Sequence, residues 1–212
     1  KIMINRLNLF KCLINIKITT KIFICFFIIL YSNSVFSDDF IKGQEAYKNN
    51  DFVKAFSYWQ PLALKGNKLA QYKLGILYEK GKGINQDSEK TLSWWKLAAE
   101  NGHARSQYHF GVMHYQGKGT SQNFKKAAKW IMKSAEQGDK FAHSTLGFLY
   151  MGGHGVKQSL IYSYIWLEIA SRNGSKLAKQ SLKDIKLKMN ASQITNAKIK
   201  TKECILKRYK DC

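Results

Sequence analysis

The chain has 212 residues, 45% of them hydrophobic, and its 35 basic against 14 acidic residues give a formal charge of +21. That length accommodates one domain with a substantial core or a short repeat array, and does not by itself choose between them. A charge of this size draws anions, yet Lys, Asn and Ile are abundant throughout, so most of the excess reads as solvated basic surface.

No acidic residue precedes Asp38, whereas Lys1, Arg6, Lys11, Lys17 and Lys21 lead into the apolar run from Ile22 to Tyr31. This is the order of a secretory signal, with Val35 and Ser37 at the −3 and −1 positions of a cleavage site. The expectation is a signal peptide over 1–37, cleaved after Ser37, and a periplasmic or secreted protein. An uncleaved anchor is the alternative, but the apolar run is far shorter than the roughly 20 residues that span a bilayer. No stable membrane insertion is therefore expected after cleavage. Cys204 and Cys212 remain, an even count that an oxidising compartment can pair. The remaining basic excess implies weak attraction to anionic envelope components, and nucleic acid is not an expected partner of an exported protein.

From residue 38 onward, landmark residues recur at an offset of 36. Gly75, Gly111 and Gly147 form one series, Gly81, Gly117 and Gly153 a second, Gly83, Gly119 and Gly155 a third, and Trp94, Trp130 and Trp166 a fourth. Gly66, Gly102, Gly138 and Gly174 extend the pattern one unit toward the amino terminus. The units fall at about 38–66, 67–102, 103–138 and 139–174, each reading as a helix pair, A then B. Asp51, Asp87, Asn123 and Ser159 share one register and predict the N-caps of helices B. Gly66 and its equivalents follow helix B where a left-handed residue closes the last turn. Asn67, His103, Asp139 and Ser175 then begin the next helix A.

The apolar spacing predicts that helix A buries Ala70, Leu74, Gly75 and Tyr78, then Ser106, Phe110, Gly111 and His114, then Ala142, Leu146, Gly147 and Tyr150. Helix B buries Thr91, Trp95 and Ala98, then Ala127, Ile131 and Ala135, then Leu167 and Ala170. Small residues opposite large ones let the helices approach closely. Pro61 removes a backbone donor and predicts a kink. Over 175–212 the repeat stops, and capping helices are expected over Lys176 to Met189 and, from the capping box begun by Asn190, Ala191 to about Lys207. On one continuous helix Cys204 and Cys212 would stand about 12 Å apart, so a disulfide requires the helix to unravel before Cys212.

The run Leu74-Gly75-x-x-Tyr78-x-x-Gly81-x-Gly83-Ile84, followed by Asp87, Trp94-Trp95 and Ala98-Ala99-x-x-Gly102, resembles the Sel-one-like repeat, a relative of the tetratricopeptide repeat. The first unit, Gly43 to Gly66, has a shorter turn nearer the tetratricopeptide form. His114 departs from the Tyr usual in that register. The resemblance implies an all-α superhelical solenoid and a non-enzymatic adaptor of the bacterial envelope. A factor released to bind host proteins is a further alternative.

The binding expectation rests on the face of helix A turned away from its packing partner. Tyr72 and Ile76 fall there, then Tyr108, Val112 and Tyr115, then Phe148, with Phe40 and Tyr47 from the first unit. This ladder is read either as a concave groove for a protein or extended peptide or as packing between repeats. An enzyme alternative, β-lactamase-like or acting on peptidoglycan, comes with the similar cysteine-rich family. Ser93-x-x-Lys96 matches its nucleophile motif, but neither S-D-N nor K-T-G accompanies it, and the paired cysteines of that family are absent. The five histidines form no metal motif, so no catalytic residue, metal or cofactor is assigned.

Overall fold

The computed structural model describes residues 38–212, so the expected signal peptide lies outside the described residues. Every regular element among them is an α-helix. The described residues fall into two compact units, divided between Tyr58 and Trp59. Helix α1 occupies residues 38–48. It is followed by α2 (Phe52–Leu64), α3 (Lys68–Lys80), α4 (Ser88–Glu100), α5 (Ala104–Gln116), α6 (Phe124–Glu136), α7 (Lys140–Gly152), α8 (Leu160–Arg172), α9 (Lys176–Lys186) and α10 (Ala191–Leu206).

In the first unit, Ala46 and Ala55 are buried, and Asp51 accepts from the Lys54 amide at 3.1 Å as the cap of α2. The helix passes through Pro61 to Leu64.

In the second unit α3 pairs with α4, α5 with α6 and α7 with α8, and successive pairs stack. The caps explain why one helix can end and another start within two residues. Asn67, His103, Asp139 and Ser175 accept from first-turn amides of α3, α5, α7 and α9. Asp87, Asn123 and Ser159 do so for α4, α6 and α8.

Close approach within each hairpin follows from the glycine at its crossing. A β-carbon on Gly75 would stand 2.2 Å from the Trp95 indole nitrogen, and one on Gly147 would stand 2.7 Å from Leu167. The predicted packing faces are inside, with Leu74, Phe110, Leu146, Trp95, Ile131 and Leu167 at 0–2% exposure. Each fully buried side chain of that size contributes about 1.5–3 kcal/mol of transfer free energy.

A buried polar ladder, invisible to the apolar pattern, ties the hairpins together. Gln71 and Gln107 donate to the carbonyls of Ala63 and Ala99, each at 3.1 Å, and accept from Asn101 and Gln137. His143 takes the third rung, with Nε2 3.0 Å from the Ala135 carbonyl oxygen and Nδ1 3.2 Å from Asn173 Nδ2. A carbonyl can only accept, so Nε2 carries the proton and Nδ1 accepts. Ladders of this kind satisfy carbonyls at helix ends that would otherwise be buried without donors.

At the carboxy terminus α9 is shorter than the apolar pattern predicts, because Leu187 and Lys188 are exposed and only Met189 returns to the interior. The Asn190/Gln193 capping box starts α10, which packs back on α8. That helix ends at Leu206, and Arg208, Tyr209 and Asp211 adopt positive φ. The unravelling brings the Cys204 and Cys212 Cα atoms to 5.0 Å, and the two residues are disulfide-bonded. The strap so formed lays Tyr209 against the His143 ring at 4.7 Å.

Candidate functional site

The eight residues of the expected groove separate into three groups. Phe40 and Tyr47 belong to the first unit, where Tyr47 meets Phe52 edge-on at 5.2 Å. Tyr72 and Ile76 pack against the cluster of Trp95, Ala99, Phe110 and Met113. Tyr72 also lies 4.7 Å from the His103 ring and 5.9 Å from His109, so the first full unit spends its outward aromatic on packing against the next. Tyr108, Val112, Tyr115 and Phe148 also pack against core clusters, and in addition they line one cavity of about 240 Å³ between α5 and α7.

The cavity is built from three layers. Ile131 of α6 and Leu149 of α7, both nearly fully buried, lie at its base. Tyr108, Val112 and Tyr115 stand one turn apart along α5, the i, i+4, i+7 spacing that puts three side chains on one face. Thr145 and Phe148 oppose them from α7, and His154 of the glycine turn closes one end. The Tyr115 hydroxyl lies 3.3 Å from His154 Nδ1, and the His154 ring stacks on Phe124 at 5.4 Å, which holds the imidazole at the rim.

The buried surroundings combine a neutral histidine with one paired carboxylate. His109 stacks on Trp95 at 4.4 Å, and burial, then the Arg105 charge, pull it down to about 4, so it is a neutral ring at physiological pH. Arg105 donates from Nε to Asp139 Oδ2 at 2.7 Å and covers the Phe141 ring at 4.1 Å. Asp139 also accepts from the amides of Phe141 and Ala142, so the buried carboxylate that starts α7 is fully engaged across the repeat boundary.

The aromatic and apolar side of this site was readable in sequence, but Ile131, Leu149, Thr145 and His154 were not assigned to it. Leu77, Met113 and Leu149 form a 36-residue register of large buried side chains, and that signal could have placed Leu149. His154 replaces the Lys82 and Lys118 of the equivalent turns, a departure visible in the repeat alignment. Thr145 carries no comparable signal.

For the enzyme alternative, Ser93 and Lys96 are exposed on α4, Lys96 lies 3.9 Å from Glu100, and no hydrogen bond joins the two among the described residues. Among the described residues no group of His, Cys, Asp and Glu could hold a metal ion. No described helix is long and apolar enough to cross a membrane.

A stack of capped α/α hairpins with an aromatic cavity between adjacent A helices defines a helical repeat protein. The Sel1 repeat model matches residues 42–67, 68–103, 104–139 and 142–175, and the chain belongs to the Sel1 repeat family. Proteins of this family are generally non-catalytic scaffolds for protein interaction. A Sel1 repeat protein of Oxalobacter formigenes is similar at 30% identity and a TM-score of 0.64, over 68% of this chain and 59% of that one. The protein c5321, a protective antigen of uropathogenic Escherichia coli strains with an SLR fold, shares 24% identity at a TM-score of 0.58 over 81% of this chain and 45% of its own. Helicobacter pylori cysteine-rich protein B shares the fold at 22% identity and a TM-score of 0.50, over 61% of this chain and 96% of its own. This chain thus spans about half the length of the first two. No curated protein matches it.

Proposed function

We propose that this protein is an exported scaffold that binds a protein or extended peptide at the α5/α7 cavity, with an apolar side chain of the partner seated between Tyr108 and Phe148. One observation carries the reading: four outward-facing residues from two successive repeats surround a cavity of about 240 Å³. That volume is below the usual 300–1,000 Å³ of small-molecule sites and suits one large side chain. Tyrosines suit this task because they present large area with few rotors to freeze, and their hydroxyls can meet the backbone of an extended ligand. Export is supported by the ordered basic, apolar and small-residue segments before Asp38.

The test is cross-linking pull-down from the cell envelope with wild type and with Tyr108→Ala/Phe148→Ala, after confirming by circular dichroism and thermal melting that the variant is folded. Partners retained by wild type should be lost from the variant. Retention of every partner by a folded variant removes this assignment and leaves the fold untouched. Fractionation of cells into cytoplasm, periplasm and medium tests export separately.

A further inference from the structure

A second cavity, of about 290 Å³, lies in the carboxy-terminal cap between α8, the end of α9 and α10. Arg172, Lys186, Lys198 and Lys202 line it against one carboxylate, Glu168. Lys198 and Lys202 are spaced i, i+4 and so share one face of α10, where like charges repel. Neither makes an ion pair among the described residues. Arg172 bonds Glu168 through Nε at 3.0 Å, leaving the rest of its guanidinium fork to face the cavity. Lys186 Nζ sits 5.5 Å over the Tyr164 ring.

Tyr164 supplies an independent pointer. Its side chain is 1% exposed and lines this cavity, and its hydroxyl has no hydrogen-bond partner among the described residues. The hydroxyl is open to the cavity rather than sealed beneath it, since the buried side-chain polar atoms without a partner among the described residues are the two His114 ring nitrogens. Burial, then the Glu168 charge, raise its pKa, so the group stays a donor across the physiological range.

We infer that this cavity is a binding site for a phosphate-type anion, held by the Lys198–Lys202 pair, Arg172 and Lys186 at its rim and by the Tyr164 hydroxyl at its base. Four cations line the cavity against one carboxylate, and a tetrahedral oxyanion can accept from ammonium, guanidinium and phenol donors together. Free phosphates and the phosphodiester of a lipid headgroup share this chemistry.

The experiment is calorimetric titration of the purified chain with inorganic pyrophosphate. Two double variants carry the same loss of charge on exposed i, i+4 lysine pairs: Lys198→Gln/Lys202→Gln at the cavity and Lys125→Gln/Lys129→Gln on α6. Wild type should show saturable binding at one site. The cavity pair should lower the affinity at least tenfold and the α6 pair less than twofold. Tyr164→Phe, which keeps the buried ring, should cost about tenfold for a hydrogen bond to a charged group. Equal losses in both lysine pairs, or heats that never saturate, would overturn the site and reduce it to the diffuse basic surface. Co-sedimentation with phosphatidylcholine vesicles containing phosphatidylglycerol separates the sources. Vesicle binding that falls with the Lys198/Lys202 pair identifies a lipid headgroup, and pyrophosphate binding without vesicle binding identifies a soluble phosphate.

Discussion

The contact between each glycine turn and the preceding helix B can be tested with two neighbouring glycines. Gly153 and Gly155 have nearly the same backbone, with φ of +71° and +75°. An alanine in this left-handed region costs about 1–2 kcal/mol at either position. Their surroundings differ. A β-carbon on Gly153 meets Gln158 Cβ at 3.3 Å, a contact relieved by a shift of a few tenths of an ångström, whereas one on Gly155 stands 2.0 Å from the Phe124 carbonyl oxygen and 2.8 Å from the Lys125 amide nitrogen. Backbone at the start of α6 cannot rotate aside, so the third hairpin must separate from the second, at about 1–3 kcal/mol more. Gly153→Ala should therefore lose about 1–2 kcal/mol, and Gly155→Ala about 3–4 kcal/mol. Urea unfolding followed by circular dichroism resolves this. With a slope of about 2 kcal/mol/M the Gly155 variant should unfold about 1 M earlier than the Gly153 variant. In thermal melts the gap should be about 4–8 °C. Equal midpoints for the two variants would refute the claim that this turn is wedged against the preceding repeat.

Acid should destabilise the fold well above the carboxylate range. The pKa values of His103, His109, His114 and His143 are all lowered, in each case first by burial. The unfolded chain then binds protons that the folded chain refuses, so stability is full above pH 6.5 and falls as the pH drops below it. His109, at about 4, accounts for about 3 kcal/mol of that loss between pH 6.5 and 4; His109→Phe should flatten the dependence in urea titrations at stepped pH, and an unchanged slope would count against it. His114 is 3% exposed and neither ring nitrogen has a hydrogen-bond partner, the Ser121 backbone acting on it too weakly to bond. His114→Tyr places in this register the residue found at Tyr78 and Tyr150, so it should gain about 1 kcal/mol, and a lower melting temperature would contradict that reasoning. Cys212→Ser should cost about 2.5 kcal/mol, the loop-closure value for a separation of eight residues. The wild type should show a matching loss under reductant, and a variant as stable as wild type would show that the strap contributes nothing.

The period of 36, both sets of caps and the packing faces were legible because each is enforced within a turn or two of its own helix. Asp87 caps α4 through an amide three residues on, and Gly75 meets Trp95 where the absence of a side chain lets the two helices of one hairpin approach. The candidate site was legible in part, as outward aromatic residues on helices A. Their fate was not: Tyr72 is taken up by His103 and His109, whereas Tyr108 and Tyr115, in the next repeat, border a cavity. That difference depends on which side chains arrive from a repeat later, a distance over which periodicity carries no information about reach or volume.

Sequence alone determined that this is an α/α repeat protein of the Sel-one-like kind, because helix pairs that must bury their faces against neighbours leave a fixed spacing of glycines and apolar residues. Only the tertiary structure decided where space remains. The cavity at Tyr108 and Phe148, the polar rungs through Gln71, Gln107 and His143, and the cationic cavity under Tyr164 are set by long-range packing of side chains whose identities vary between repeats. The disulfide strap belongs with them, since it required α10 to end at Leu206 and the chain to turn through left-handed residues that no local signal announces.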